Sequence, residues 1–214
     1  MIYLGVDVGY LNLAFVRCVV EDYQITMVSD ARCIDLTHLP HTVVSRECCT
    51  LGHTNALFDR IQHMLQEHAD LFVGVDHVRI ERQPLTGLTD VEQLLFGHFR
   101  SKARLVSPNS MHRHFHIGHY VYEQRKTQTT RIAEPYLCHL PAWQRERVHD
   151  LADALCIVLF SLHIEGREAE QQRIQQRKAE RQQQHVIVDD TFFEQFKCRP
   201  RIAAQQFLAQ ANKP

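Results

Sequence analysis

The feature that most constrains the fold is a carboxylate within an apolar segment at the start of the chain. Residues 2–9 read Ile-Tyr-Leu-Gly-Val-Asp-Val-Gly, which predicts a buried strand that ends in a tight turn. Side chains alternate along a strand, so Asp7 shares a face with Tyr3 and Gly5, opposite the aliphatic residues. A buried carboxylate is costly unless its charge is offset. Asp7 therefore either accepts hydrogen bonds in the following turn or belongs to a functional site.

Composition bounds the class of protein. The chain has 214 residues, of which 44% are hydrophobic and 23% charged, as expected of a globular domain with a full core. We find no apolar run near the roughly 20 residues of a membrane span and no signal peptide, so we expect an intracellular protein that is not membrane-bound. The seven cysteines are scattered and never spaced as Cys-x-x-Cys. This disfavours a zinc ribbon or disulfide framework and favours a reducing compartment.

Strand and helix patterns alternate along the chain. Apolar periodicity predicts strands at 2–9, 11–20 and 23–28, a helix at 50–71, a strand at 75–81, a helix at 89–99, a strand at 103–106, a helix that ends before Pro141, and a helix at 149–163. Thr89 and Glu92 have the spacing of a capping box. The helix at 149–163 is apolar on nearly every side, which predicts burial. Residues 168–184 are rich in Gln, Glu and Arg and predict either an exposed helix or a partly disordered linker.

Three further carboxylates occupy positions as unfavourable as that of Asp7. Asp150 and Asp153 are three residues apart on the apolar helix, which puts their Cβ atoms about 5–6 Å apart on one face. Glu81 ends a strand, where open α/β sheets bind their ligands. Taken singly, Asp150 could instead interact with the helix dipole.

As a set, the four acids predict a metal site. Two like charges 4 Å apart at an effective dielectric near 20 repel by about 4 kcal/mol, so four together would take up protons or bind cations. Carboxylate oxygens prefer Mg²⁺ or Mn²⁺. Two such ions about 3.5–4 Å apart can clamp the attacking water and the leaving oxygen of a phosphodiester.

The middle of the chain is basic although the formal net charge is −1. Lys and Arg outnumber Glu between Arg100 and Arg147, which predicts either one electropositive face or a solvated surface. The His-rich stretch at 112–119 could hold zinc, but no Cys or second His cluster completes a tetrahedral set. We therefore interpret these histidines as phosphate contacts or loop residues.

These motifs resemble those of the RuvC-type Holliday junction resolvases in the RNase H-like superfamily. The resemblance lies in Gly5-Val6-Asp7-Val8-Gly9, Ile80-Glu81-Arg82-Gln83 and Asp150-Leu151-Ala152-Asp153-Ala154-Leu155, which are similar to the family's opening strand, strand end and final helix. Within the family, the resolvases of poxviruses and related large DNA viruses are most similar, on the evidence of Gln83-Pro84, Ser107-Pro108-Asn109 and residues 122–126.

The resemblance covers residues 1–163 and implies an α/β, RNase H-like fold with a mixed five-stranded sheet flanked by helices. We expect residues 1–165 to form the nuclease domain and residues 166–214 a charged, Gln-rich helical extension. The implied activity is that of a crossover-junction endodeoxyribonuclease, which resolves four-way DNA in recombination, repair or replication. It would act as a homodimer with two Mg²⁺ ions per site, for which Mn²⁺ substitutes. If the protein is viral, it would act in the host cytoplasm or nucleus.

The resemblance also assigns roles to residues. Asp7, Glu81, Asp150 and Asp153 would be metal ligands, and Lys126 the catalytic cation beside the scissile phosphate. Arg125 or Arg131 could fill the place of Lys126. The residues expected to contact DNA are Arg82, Gln83, Ser107, Asn109, Arg125 and Arg131. Some bacterial members carry a stacking aromatic just after the strand-end Glu, but here residues 83–85 read Gln-Pro-Leu.

Other functional classes share parts of this pattern. Sugar kinases and actin-like ATPases share the Asp-x-Gly opening, but they need a second phosphate loop and a Gly-rich adenosine site, and eight glycines offer neither. An RNase H acting on RNA–DNA hybrids, or a transposase-like nuclease, would use the same acids. A non-catalytic protein that binds branched DNA would be expected to have lost one or more acids, whereas this chain keeps all four.

Overall fold

The computed structural model describes residues 1–39, 56–144 and 147–211, with side chains described up to residue 182. The described residues form one mixed five-stranded sheet in the order β3-β2-β1-β4-β5. The strands are β1 (Ile2–Asp7), β2 (Leu13–Glu21), β3 (Gln24–Ile34), β4 (His77–Glu81) and β5 (Ala103–Val106). The helices are α1 (Leu57–Glu67), α2 (Ala69–Phe72), α3 (Thr89–His98), α4 (Pro108–His114), α5 (Tyr122–Leu137) and α6 (Val148–Ala211), with a 3₁₀ turn at Pro141–Gln144. The predicted fold class is confirmed.

The central strand β1 sets the geometry of the sheet. It pairs antiparallel with β2 and parallel with β4, and β4 pairs parallel with β5. Val6 lies opposite Ile80 in the parallel pair. Because parallel strands end at the same edge of a sheet, the next residue of each strand, Asp7 and Glu81, emerges at one edge.

The two faces of the sheet bury separate apolar clusters. Leu4 and Val6 of β1, and Val8 just after it, belong to a cluster that includes residues of α1 and α3. Tyr3 belongs to a cluster that includes residues of α5 and α6. This confirms the predicted alternation along β1. It also places Asp7, two residues from Gly5, on the α6 side of the sheet.

Some boundaries differ from the sequence prediction. β1 ends at Asp7 rather than at residue 9, so this carboxylate lies at a strand end and not within the strand. β3 extends to Ile34, well beyond residue 28, because β2 pairs with it along its length. Two polar residues in the part of β3 beyond residue 28, Asp30 and Arg32, form an ion pair with each other.

The predicted helix at 50–71 lies partly outside the described residues. The described part is two helices separated at His68, whose φ of −107° is not helical.

The predicted capping box is wrong. α3 begins at Thr89 itself, after Leu88, and no side chain caps it. Glu92 is buried and accepts a hydrogen bond from the backbone N–H of Gln83 instead. A contact with the preceding loop has thus replaced the local cap.

α6 contains the predicted helix at 149–163, whose burial is confirmed at Leu151, Ala154, Leu155 and Val158. The helix continues through Gly166 into the Gln-rich stretch. That stretch is helical and its side chains are mostly exposed as far as residue 182, which matches the exposed-helix alternative. Of the basic residues between Arg100 and Arg147, Arg104 lies in β5, Arg113 in α4, and Arg125, Lys126 and Arg131 in α5.

The chain divides into two compact units, Met1–Gly166 and Arg167–Pro214. The first unit contains the sheet and both apolar clusters. In the second, Arg173 and Glu170 form an exposed ion pair one helical turn apart. No helix in the described part of the chain combines the length and the apolar character needed to cross a membrane.

Candidate active site

Four carboxylates from three elements meet at one cleft. Asp7 ends β1, Glu81 ends β4, and Asp150 and Asp153 lie in the first two turns of α6. All four line a cleft of about 310 Å³ together with Lys126 of α5. The structure therefore brings the predicted acids together with the predicted cation, although these residues are far apart in sequence.

Asp7 and Glu81 form the part of the cleft nearest the sheet. The two carboxyl groups are close enough for each to affect the pKa of the other. Burial, and then the negative charges of Glu81 and Asp153, raise the pKa of Asp7 well above its usual range. Burial also raises the pKa of Glu81. Burial and mutual repulsion therefore disfavour the doubly charged pair, and a bound cation would offset that charge.

Cations from other elements face the two acids of α6. Lys126 Nζ donates to Asp153 Oδ2 at 2.5 Å and to Asp150 Oδ1 at 3.4 Å. Burial disfavours the charge on Lys126, but Asp153 and its neighbouring acids outweigh it and raise the pKa of the ammonium. Arg147 Nε donates to Asp150 Oδ2 at 3.0 Å. Asp150 therefore contacts both Lys126 and Arg147, whereas Asp153 contacts Lys126 but not Arg147.

A close approach of α6 to β1 brings the acids together. A Cβ on Gly5 would lie 2.2 Å from the carbonyl oxygen of Ala154 and 2.7 Å from Val158 Cγ2. A side chain cannot fit in that space, so only glycine allows this distance. Because Gly5 precedes Asp7 by two residues and Ala154 follows Asp153, this contact sets the separation of the two acids.

A polar network holds the other end of the same elements. Glu165 of α6 accepts hydrogen bonds from Arg79 Nη2 at 2.6 Å and from Tyr3 Oη at 2.7 Å. Arg79 is 2% exposed, and its guanidinium lies 5.2 Å from the centre of the Tyr3 ring. The network joins β1, β4 and α6, the elements that carry the four acids. A buried arginine within a strand is tolerated here because Glu165 offsets its charge.

The acid set fits hard divalent cations. Within the described residues, no three His, Cys, Asp or Glu side chains are already arranged as a closed ligand group. The donors nevertheless are all carboxylate oxygens, and buried Asp153 Oδ1 has no hydrogen-bond partner among the described atoms. A buried carboxylate oxygen left without a donor, close to other carboxylates, is available to bind Mg²⁺ or Mn²⁺.

A second cleft adjoins the first. It measures about 890 Å³, shares Glu81, His112 and Arg125 with the acid cleft, and is also lined by Asn109 and Arg113. Burial, and then the charge of Arg125, lower the pKa of His112, which disfavours its protonated form. Its interpretation as a phosphate contact or a loop residue stays a prediction. Arginine supplies the positive charge of the second cleft.

The residues predicted to contact DNA have different surroundings. Arg125 lines both clefts, and Asn109 lines the second. Arg82 and Arg131 are exposed but line neither cleft as described, and Ser107 immediately precedes α4. Gln83 differs from the others, because its Nε2 donates to Glu81 Oε2 at 2.6 Å.

Sequence reasoning gave no role to several residues that line the acid cleft, among them Arg147 and Tyr122. Arg147, which has a left-handed backbone (φ of 70°), binds Asp150. Tyr122 is exposed, and its ring centre lies 5.6 Å from Lys126 Nζ. The spacing of Arg147 and Asp150 was a local signal that could have revealed this ion pair. Tyr122 and Lys126 are four residues apart on α5, so their contact was also a local signal.

Comparison with known proteins shows the fold. No family model and no curated protein matches the sequence. The fowlpox virus resolvase, solved with its substrate Holliday junction DNA, is 16% identical over 76% of this chain and 97% of that chain, with a TM-score of 0.52. The yeast mitochondrial Holliday junction resolvase is 15% identical over 75% of this chain and 78% of that chain, with a TM-score of 0.51. This chain therefore has a RuvC-like resolvase fold, as its motifs predicted.

Proposed function

We propose that this protein is a metal-dependent endonuclease that resolves four-way DNA junctions. One observation carries the proposal: Asp7, Glu81, Asp150 and Asp153 converge with Lys126 at one cleft of a fold shared with Holliday junction resolvases. Carboxylates that converge in this way suit the hydrolysis of a phosphodiester assisted by Mg²⁺ or Mn²⁺. Both neighbours are named as junction resolvases, and one was solved with junction DNA.

Each group has a distinct task in this proposal. Asp7, Glu81, Asp150 and Asp153 would hold two divalent ions, which would supply activation of the attacking water and stabilisation of the leaving oxygen. Lys126 remains charged at the edge of the acid cluster and stabilises the negative charge that develops on the phosphate. Such a cation lowers the barrier to reaction more than it strengthens ground-state binding.

The DNA strand follows the second cleft away from the acids. That cleft begins at Glu81 and is lined by Arg113 and Arg125. Phosphate contacts from arginine position the backbone without reading sequence. Asn109, in the same cleft, offers an amide for further contacts.

Resolution requires two active sites. One acid cluster hydrolyses one phosphodiester, whereas a junction becomes two ligatable duplexes only when two opposing strands are nicked. A homodimer with two-fold symmetry supplies two sites in the relation that the junction demands. We therefore propose that the protein acts as a dimer.

The test is cleavage of end-labelled substrates in Mg²⁺: a four-way junction, a duplex, an RNA–DNA hybrid and a flap. We expect paired nicks at symmetric positions in the junction and little cleavage of the others. Asp7→Asn and Asp153→Asn should abolish cleavage while junction binding persists, because each removes a ligand charge and leaves the basic cleft intact. Asp70→Asn, at an exposed ion pair with Arg32, is the matched control and should cut normally.

The pattern of products decides between the proposed activity and its alternatives. Preferential cleavage of the hybrid would instead identify an RNase H. Junction binding without any cleavage in Mg²⁺ or Mn²⁺ would identify a non-catalytic binding protein. Light scattering of the free protein tests the dimer, and unrelated nick positions on opposing strands would contradict paired resolution.

A further inference from the structure

The loop that follows β4 is folded around the side chain of Gln83. Its amide nitrogen donates to Glu81 Oε2 at 2.6 Å, and its amide oxygen faces the backbone N–H of Leu88 at 3.4 Å. The two ends of the amide thus have complementary partners, which fixes the orientation of the group. One of those partners is a carboxylate of the acid cleft.

A buried acid anchors the backbone of the same residue. The backbone N–H of Gln83 donates to Glu92 Oε2 at 2.5 Å, and Glu92 is only 3% exposed. Gln93 Nε2 donates to the other oxygen of Glu92 at 2.7 Å. The neighbouring residue Arg82 donates its backbone N–H to Val106 of β5 at 2.8 Å. The loop is therefore tied to both α3 and β5.

Gly87 lies close to the Gln83 amide. A Cβ at this position would lie 2.9 Å from Gln83 Oε1 and 2.9 Å from Pro84 Cδ. The backbone N–H of Gly87 also donates to the carbonyl of Pro84 at 2.7 Å, which closes the turn. Residue 87 therefore has no room for a side chain while the amide keeps its present position.

We propose that Gln83 is a positioning residue that holds the Glu81 carboxylate in place for a divalent cation. Its amide donates to one oxygen of Glu81, and Glu92 anchors the loop from which the amide extends. Gln83 lines neither the acid cleft nor the second cleft, so its side chain orients Glu81 rather than contacting DNA. The inference rests on the proposed function, in which Glu81 is a metal ligand.

Groups that orient a metal ligand have a measurable effect on metal binding. Loss of such a partner typically weakens metal affinity or activity about 10–100-fold. A purely structural loop contact would lower stability instead and would leave the affinity of the folded protein unchanged. The two roles can therefore be separated by measuring both quantities in the same variants.

The experiment compares Gln83→Met with Gln93→Met in the full-length protein. Both changes remove an amide of the same loop–helix network, but Gln93 donates to Glu92 and not to Glu81. Mn²⁺ affinity without DNA is measured from the electron paramagnetic resonance signal of free Mn²⁺, and melting temperature by circular dichroism. We expect about tenfold weaker Mn²⁺ binding for Gln83→Met and less than twofold change for Gln93→Met. Junction affinity in EDTA should be unchanged in both.

Two outcomes overturn the inference alone. The first is wild-type Mn²⁺ affinity in folded Gln83→Met, and the second is weakened junction binding in EDTA with unchanged Mn²⁺ affinity, which would make Gln83 a DNA contact. If Gln83→Met does not fold, Gly87→Ala decides by the same readouts, because its Cβ displaces the amide without removing it. A wild-type protein that binds no Mn²⁺ would refute the metal site of the proposed function and the inference with it.

Discussion

Replacing Gly5 with alanine tests the geometry on which the site depends. The new Cβ would lie 2.2 Å from the carbonyl oxygen of Ala154, 2.7 Å from Val158 Cγ2 and 3.0 Å from the carbonyl carbon of Ala154. Two of these three neighbours are backbone atoms, which cannot turn aside as a side chain can. The clash of the new Cβ can therefore be relieved only if α6 and β1 move apart.

The size of the effect follows from that distance. Ordinary contact begins near 3.4 Å, so the helix must retreat by about 1.2 Å from the 2.2 Å approach. Overpacking a well-packed site costs about 1–3 kcal/mol, and a clash with backbone argues for the upper end. At about 2–4 °C per kcal/mol for a domain of this size, the melting temperature should fall by about 6–12 °C.

The acid cluster should lose function as well as stability. Asp153 precedes Ala154 and Asp7 follows Gly5 by two residues, so retreat of α6 increases the separation of the two carboxylates. A misplacement of about 1 Å can reduce catalysis about 100-fold. We expect a loss of this order in single-turnover junction cleavage, measured at a temperature where the variant is folded.

Gly97→Ala is the matched control for this experiment. Gly97 lies in α3, and a Cβ there would meet nothing within 4 Å. Alanine should stabilise that helix by about 0.5–1 kcal/mol and leave cleavage unchanged. Thermal unfolding followed by circular dichroism measures both variants. If Gly5→Ala melted within about 2 °C of the wild type, α6 would not approach β1 as closely as described, and the reasoning would fail.

Three further predictions concern other parts of the protein. Lys126→Ala should slow single-turnover cleavage far more than it weakens junction binding, because the cation acts on developing charge; rates with saturating enzyme and binding in EDTA measure the two effects. Glu165→Gln should lower the free energy of unfolding by about 3 kcal/mol in urea titrations, because it leaves the buried Arg79 guanidinium without its counter-charge. Cys18 should resist iodoacetamide at pH 8 while exposed Cys138 reacts, since burial raises the pKa of Cys18 to about 12 and keeps its thiol protonated; mass spectrometry of the labelled peptides measures this.

Each of these predictions can fail in a recognisable way. A Lys126 variant with weakened binding and an unchanged cleavage rate would make that residue a plain phosphate contact. A Glu165 variant as stable as the wild type would show that Arg79 does not depend on Glu165 to offset its charge. Rapid labelling of Cys18 in the native protein would contradict its burial in the sheet.

The sequence alone determined features that depend on residues close together in the chain. Alternation along residues 2–8 predicted which side chains of β1 share a face, because the backbone of a strand fixes that period. The spacing of Asp150 and Asp153 predicted a shared helix face in the same way. The order of strands and helices followed from local periodicity, and the resemblance of the acid motifs to those of the resolvases then implied the fold class.

Tertiary structure decided how these local features meet. Asp7 lies beside Glu81 because β1 and β4 pair in parallel with Val6 opposite Ile80, a register that no local pattern sets. Lys126 reaches the acids of α6 through the docking of α5. These contacts join residues tens of positions apart. They form only when the faces of whole strands and helices pack together.

Long-range contacts also explain the errors of local reasoning. The Thr89 and Glu92 pair had the spacing of a cap, yet Glu92 binds the backbone of Gln83, which lies nine residues earlier. Arg79 was unremarkable in sequence but is buried, because Glu165, 86 residues away, offsets its charge. A polar side chain can satisfy its hydrogen bonds with any partner that folding brings near, so its role is fixed only when the elements around it have packed.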